Sequence, residues 1–364
     1  MSAELSDMRI LLFARTMSMG GTEKVVLQLC RALKDKVAFV GVMSCGGELV
    51  SRLDDMGVPH FDVPDITGKD PVTISRVSRR LKKVVRENNV NLVHCHHRMA
   101  ALYCQISLPK TLCIVATAHN VFQGNRCATR LLYHGMQVAA CGGRVEDNLV
   151  SYFGIPRSHV KLIPNSVPCY SDGVIPIPEV ASLPADVFKI GFVGRLTEAK
   201  GVRYLIDAVG ILAAKGYSIR CFIVGDGELD DELHDLASKS IARDSFVFLG
   251  KRNDAQNFLS QMDVCVIPSL WEGLPLVLLE AFSVGVPVVA SACDGVLDVI
   301  RDGDNGLLAE PADADSLSQA IERVFFDLPL RRKLGGNALS DFLTSYSYDV
   351  WVDRYLDFYK AAFR

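Results

Sequence analysis

"KIGFVGRLTEAKGVRYLIDAVGILAAKGYSIRCFIVG", Lys189 to Gly225, decides the architecture. An apolar run ends at Gly194. A short polar loop follows, bounded by Arg195 and Lys200, and Gly201 opens a helical segment. A second apolar run, "RCFIVG", closes the unit. Strands that are apolar throughout and separated by helices indicate a parallel sheet covered on both faces.

Working outward, the alternation continues: a helix from about Leu229, "FVFLG", a helix near Gln256 to Gln261, "VCVIPS", and "VPVVAS". The first half reads the same way. "RILLFA" is a strand, "SMGG" a loop, and "TEKVVLQLCRAL" sets Val25, Val26, Leu29 and Leu33 at helical spacing. "VAFVGVM", "VNLVHC" and "TLCIVATAH" follow as strands. "VPCYSDGVIPIPEVASLPADV", Val167 to Val187, has four prolines and no period, so it reads as a linker. The result is an α/β protein of two doubly wound halves with a cleft between them, and ligands of such sheets collect at the carboxyl ends of strands.

Bulk properties agree. A chain of 364 residues is long for one core and suits two domains. A hydrophobic content of 49% with 22% charged residues excludes a disordered class. The 11 cysteines have no CxxC pair and read as reduced thiols of a cytosolic protein. Acids precede a short apolar run, Ile10 to Ala14, which does not suit a secretory signal. No stretch reaches the roughly 18 apolar residues of a membrane span. Residues 1–186 carry 21 Lys and Arg against 16 Asp and Glu, whereas residues 187–364 carry 18 against 26. The basic first half suits an anionic partner. Nucleic acid is not expected.

Several motifs carry chemistry. In "MSMGGTEKVV", Gly20 and Gly21 stand between strand and helix, with Thr22 as an N-cap candidate. That is either an anion-binding helix start or an ordinary tight turn. Arg195 and Lys200 flank a loop before a helix N-terminus, a pairing suited to a diphosphate. "SLWEGLPLVLLEAFSVGVPVVAS", Ser269 to Ser291, holds Glu272 in a loop and Glu280 on the helix behind it, with Pro275 in the first turn. Two acids in an apolar run need partners, and sugar hydroxyls are donors that fit. "VHCHHRMA" offers His94, His96 and His97. They are a metal trio, or His97 lines an acceptor, or all three end a strand without catalytic weight. "TISRVSRRLKKVVRE" sets Ile74, Val77, Leu81, Val84 and Val85 against Arg76, Arg79, Arg80, Lys82, Lys83 and Arg86. This basic amphipathic helix lies on anionic lipid through residues 74–86, or packs its apolar face on its own sheet with a solvated basic face, and both can hold together. In the tail, Trp351, Tyr355, Phe358 and Ala362 form a docking stripe.

Taken together, "GGTEKVV", "HCHH", "ATAHN", "IPNSV", "GFVGRLTEAKG", "VGDGEL", "FLGKRNDA" and "PSLWEGLPLVLLEA" resemble the retaining glycosyltransferases of family 4 over nearly the whole chain. The last piece matches that family's E-x7-E signature. The resemblance implies the GT-B fold: a domain over 1–168, a linker over 169–186, a nucleotide-sugar domain over 187–345, and a C-terminal helix, 346–364, crossing back onto the first domain. It implies a metal-independent, retaining hexosyltransferase without a cofactor, a UDP-sugar being the favoured donor. The acceptor would be a saccharide or lipid-linked hydroxyl in cell-surface glycan synthesis, at the inner face of the membrane. Arg195 and Lys200 would hold the diphosphate, next to Gly194. Glu280 would bind the ribose. Glu272, with Gly273 and Leu274, would contact the donor sugar, and His119 would reach its reacting face. Gly20 and Gly21 would lie against the diphosphate. Where the family often has Asn-Gly, this chain has Asn165-Ser166, so that loop is expected to turn differently. A nucleotide-sugar epimerase and a non-catalytic nucleotide-sugar-binding subunit are the alternative readings.

Overall fold

The computed structural model describes residues 5–68, 70–124, 126–169 and 173–363. By contacts the chain divides into two units, one of residues 1–165 with 349–364 and the other of residues 166–348.

In the first unit the strands are β1 (Arg9–Phe13), β2 (Phe39–Ser44), β3 (His60–Asp62), β4 (Leu92–Cys95), β5 (Cys113–Ala118), β6 (Gln137–Ala140) and β7 (Val160–Leu162). They lie in the order β3-β2-β1-β4-β5-β6-β7, and all the pairings are parallel. In the second unit they are β8 (Phe188–Val193), β9 (Ile219–Val224), β10 (Phe246–Gly250), β11 (Val264–Ile267), β12 (Val288–Ser291) and β13 (Leu307–Ala309), ordered β10-β9-β8-β11-β12-β13. Pairing is again parallel, with Phe188 opposite Ile219 and Ile190 opposite Val264. Strand order reverses beside β1 in one unit and beside β8 in the other, which places a crevice at the carboxyl ends of β1 and β4, and of β8 and β11.

The uniformly apolar strands follow from burial on both faces. Side chains alternate across a strand. In the second unit Ile190, Cys221, Ile223, Val264 and Val266 enter one core with Leu205, Val209 and Leu212 of helix Val202–Ala214. Their neighbours Phe222, Val224, Cys265 and Ile267 enter the other core with Leu278, Leu279 and Phe282 of helix Leu276–Ser283. Burying each of these larger side chains is worth roughly 1.5–3 kcal/mol.

Helix Pro71–Glu87 is capped by Asp70, whose carboxylate accepts from the Thr73 amide at 2.8 Å. Val77, Leu81 and Val84 face the core, but Ile74 does not: it is 37% exposed. The apolar stripe therefore begins one turn later than its periodicity suggests. Arg76, Arg79, Lys82, Lys83 and Arg86 are exposed. Among the described residues no helix is long and apolar enough to cross a membrane.

The C-terminal helix, Tyr348–Ala362, buries Trp351, Tyr355, Phe358 and Tyr359. The Tyr355 hydroxyl is 3.1 Å from Thr117 Oγ1, and the Tyr359 hydroxyl 2.7 Å from His94 Nδ1. The Pro-rich stretch is held along part of its length. Asn257 Oδ1 accepts from the Ile175 amide and Gln261 Oε1 from that of Ile177, and Ile177 and Val180 are buried. Ser166 does not take the left-handed conformation that glycine would favour. It is buried and donates its hydroxyl to the Tyr346 carbonyl at 2.6 Å.

Candidate active site

In the second unit the site is built by two loops, one after β8 and one after β11. Past β8, the Gly194 amide donates to Val224 O at 3.0 Å, and Arg195 stands exposed. Residues Glu198–Lys200 form a single tight turn. Gly201 then adopts φ 61° and ψ 25° and caps helix Val202–Ala214. A side chain there would be strained, and its Cβ would sit 2.1 Å from the Pro268 carbonyl oxygen. Glycine thus lets the first loop lie flush on the second. A backbone bond from Leu270 N to Ala199 O at 2.9 Å stitches them together.

That close approach brings Lys200 onto Glu272. The Lys200 ammonium donates to Glu272 Oε1, and the same oxygen accepts from Ser269 Oγ at 2.9 Å. The side chains of Lys200 and Glu272 are 22% and 11% exposed, so the pair is largely withdrawn from solvent. A carboxylate with a cation and a hydroxyl is a satisfied anion, which answers how an acid survives in an apolar run. Gly273 and Leu274 are buried behind it. Pro275 precedes the helix as its N-cap and does not occupy its first turn, and the helix spans Leu276–Ser283. Glu280 lies in its second turn and is 8% exposed.

Sequence reasoning placed Lys200 and Glu272 on different parts of a ligand; here they hold each other. It also missed Ser269, three residues ahead of Glu272. The signal was present, since a hydroxyl at that spacing can reach back to a loop carboxylate.

In the first unit Gly20, not Thr22, is the N-cap of helix Gly21–Leu33. The Glu23 carboxylate folds back over Gly20, because a Cβ on Gly20 would lie 2.4 Å from Glu23 Oε2. Thr16 Oγ1 donates to Glu23 Oε1 at 2.6 Å. The chain's own acid therefore stands at this helix start, where the dipole favours negative charge.

The histidines form a file across β4 and β5. His94 is fully buried, with Nδ1 on the Tyr359 hydroxyl and Nε2 2.7 Å from Thr117 Oγ1. With both ring nitrogens committed, it is no metal ligand, and the reading of His94, His96 and His97 as a trio fails. Among the described residues no group of three or more His, Cys, Asp and Glu side chains is arranged to hold a metal. His97 caps helix Arg98–Ser107, its Nδ1 accepting from the Met99 amide at 3.1 Å. His119, half-buried just past β5, has Nε2 3.1 Å from His96 Nδ1. Burial pushes His94 down to about 3 and His119 to about 4, and holds His96 well below the ordinary imidazole value.

These depressed values carry a stability consequence. Below pH 6.5 the unfolded chain takes up protons that folded His94 refuses until about pH 3 and folded His119 until about pH 4. Stability is thus lost as pH falls through that window, at about 1.4 kcal/mol per pH unit for each histidine. The melting temperature is expected to drop between pH 7 and pH 5, and more steeply for the native chain than for His94→Asn. Equal slopes for both would contradict this account.

Comparison with known proteins adds family information. Residues 176–341 match the model for "Glycosyl transferases group 1", and residues 19–169 that for "Glycosyltransferase Family 4". A UDP-Gal:alpha-D-GlcNAc-diphosphoundecaprenol alpha-1,3-galactosyltransferase of Escherichia coli is 27% identical over 94% of this chain and 94% of its own. An uncharacterized glycosyltransferase of Methanocaldococcus jannaschii is 31% identical over 63% of this chain, a match spanning 61% of that relative. A lipopolysaccharide core biosynthesis glycosyltransferase of Rhizobium meliloti is 35% identical over 48% of this chain and half of its own. Among solved structures, Anabaena HepE in complex with UDP-glucose superposes with a TM-score of 0.83 at 20% identity, covering 97% of this chain and 100% of that one. A glycosyltransferase from Rickettsia africae gives 0.84 at 20% identity over 98% and 99%. At that identity the likeness shows the fold, which is GT-B.

Proposed function

We propose that the chain is a family 4-type glycosyltransferase, a reading supported by the matches of residues 176–341 and 19–169 to two glycosyltransferase family models, and that it is a retaining, metal-independent hexosyltransferase. It moves a sugar from a nucleotide diphosphate-sugar, a UDP-sugar by preference, to a hydroxyl of a lipid-linked or saccharide acceptor in cell-surface glycan synthesis. The observation that carries this reading is the joining of the β8 and β11 loops at the switch point of the second sheet. It sets Arg195, Lys200, Glu272 and Glu280 on adjoining elements.

A departing nucleotide diphosphate gains negative charge in the transition state, so fixed cations lower the barrier there. Arg195 and Lys200 fill that role beside the helix that begins after Gly201. Glu280 accepts the ribose hydroxyls. Glu272 and the backbone of Gly273 and Leu274 hold the sugar, and His119 is a further contact of the sugar. The leaving phosphate takes the acceptor proton, and attack comes from the face it leaves. Donor binding has to share or displace the Lys200–Glu272 ion pair, which keeps both groups poised until a ligand arrives. The exposed cations of helix Pro71–Glu87 suit an anionic lipid surface, where a lipid-linked acceptor would be met. The name of the E. coli relative, with its diphosphoundecaprenol-linked acceptor, supports that choice.

A thermal-shift screen against UDP-, GDP- and ADP-sugars tests the reading. At a concentration near 100 Kd the correct donor adds about 2.7 kcal/mol and raises the melting temperature by roughly 5–10 °C. No shift with any nucleotide sugar would overturn it. A shift without transfer to any acceptor would return the chain to a binding role.

A further inference from the structure

We infer that His96 is a positioning residue that fixes the tautomer of His119, so that His119 presents Nδ1–H as a hydrogen-bond donor. The inference rests on the proposed role of His119 at the donor sugar, but its first test does not.

His96 directly follows β4 and His119 directly follows β5, which are neighbouring parallel strands. Their rings stack at 25° with centroids 5.3 Å apart, and His96 Nδ1 faces His119 Nε2 at 3.1 Å. Two nitrogens at that distance share one proton, so one ring donates and the other accepts. Burial keeps both rings neutral.

The other nitrogen of His96 decides the direction. His96 is 4% exposed, and its Nε2 is buried with no partner. If His119 donated, His96 would accept at Nδ1 and carry its own proton on Nε2, leaving a buried N–H with nothing to bond. If His96 donates from Nδ1, Nε2 is an unprotonated acceptor. Orphaned buried N–H groups are the rarer of the two. The second arrangement is favoured: His96 Nδ1–H donates to His119 Nε2. His119 then carries its proton on Nδ1. Among the described residues that nitrogen has no partner, so its donor is available to a sugar hydroxyl.

The framework around His96 is rigid. The His94 ring lies against it, tilted at 39° with centroids 4.1 Å apart, and is itself held by Thr117 and Tyr359. The His119 backbone is held where its carbonyl accepts from Cys141 Sγ at 3.3 Å.

Imidazole 15N NMR of the ligand-free full chain is the test, with His119 assigned by a His119→Gln variant. We expect a protonated Nδ1 on His119 and an unprotonated Nε2. The reverse tautomer would overturn the inference without any variant and without any assay. His96→Leu removes the donor, and His119 is then expected to become a tautomer mixture. In the same variant kcat falls at least 10-fold while nucleotide affinity holds within 2-fold. His96→Asn, whose amide replaces Nδ1 as a donor, is expected to restore the Nδ1–H form and most of kcat. Equal losses in the Leu and Asn variants, or a tautomer indifferent to His96, would overturn the assignment. If the tautomer is as stated but His119→Gln turns over normally, the positioning stands and the role of His119 at the donor fails.

Discussion

Lys200→Ala is expected to lower turnover by roughly 100- to 1,000-fold, the scale of losing one fixed group that stabilises developing charge. In this structure the same substitution also removes the cation from Glu272, leaving a carboxylate of 11% exposure with Ser269 alone. That orphaning costs about 1–3 kcal/mol of stability by itself. Two damages are therefore superimposed, and a second variant separates them. Glu272→Gln in the Lys200→Ala background removes the unpaired charge, so the melting temperature should recover while turnover stays low. Arg195→Ala, at an exposed position, should leave stability alone and depress turnover comparably. Normal turnover in Lys200→Ala, or recovery of turnover in the double variant, would remove Lys200 from the chemistry and leave it as the partner of Glu272.

Glu280→Ala is expected to weaken nucleotide binding by about 1.5–3 kcal/mol, or roughly 10- to 150-fold in Kd, as charge-assisted hydrogen bonds are lost. Its position makes the measurement clean. Glu280 lies in the second turn of a helix whose neighbours Leu278, Leu279 and Phe282 are fixed in the core, so the backbone carrying it does not follow the substitution. Glu280→Gln keeps an acceptor oxygen and the shape, and should lose less. Calorimetry giving one affinity for native chain, Gln and Ala variants would refute the ribose assignment, provided that thermal unfolding shows all three folded.

Much of the fold was legible because both sheets are buried on both faces. Within "KIGFVG", "RCFIVG" and "VCVIPS", residues 190–193, 221–224 and 264–267 are apolar at every position for a physical reason: each run feeds two cores at once. Three of the four edge strands were not legible, the exception being Phe246–Gly250. His60–Asp62, Val160–Leu162 and Leu307–Ala309 are three residues each, too short for any period to register. Helix starts were legible to within a residue or two, and their caps less so. Thr22 has the right chemistry for a cap, but Gly20 takes the position because Glu23 supplies the anion. At the site, the residue types of Arg195, Lys200, Glu272 and Glu280 announced themselves, whereas the Lys200–Glu272 bond did not. It spans 72 positions and depends on a left-handed glycine letting one loop rest on another. The fate of His94 was hidden for the same reason, since its hydroxyl partner Tyr359 is 265 residues away.

The C-terminal helix has a consequence for how the protein is made. Its residues 349–364 belong to the unit begun by residues 1–165, with 166–348 emerging between them. A ribosome adding about 5–20 residues per second needs roughly 10–40 s to pass through that interval. Throughout it, the nascent first unit lacks the helix that covers His94 and Thr117, whereas the second unit is complete once residue 348 has emerged. The later-made half can thus finish first, and the earlier half stays open until residues 349–364 have emerged.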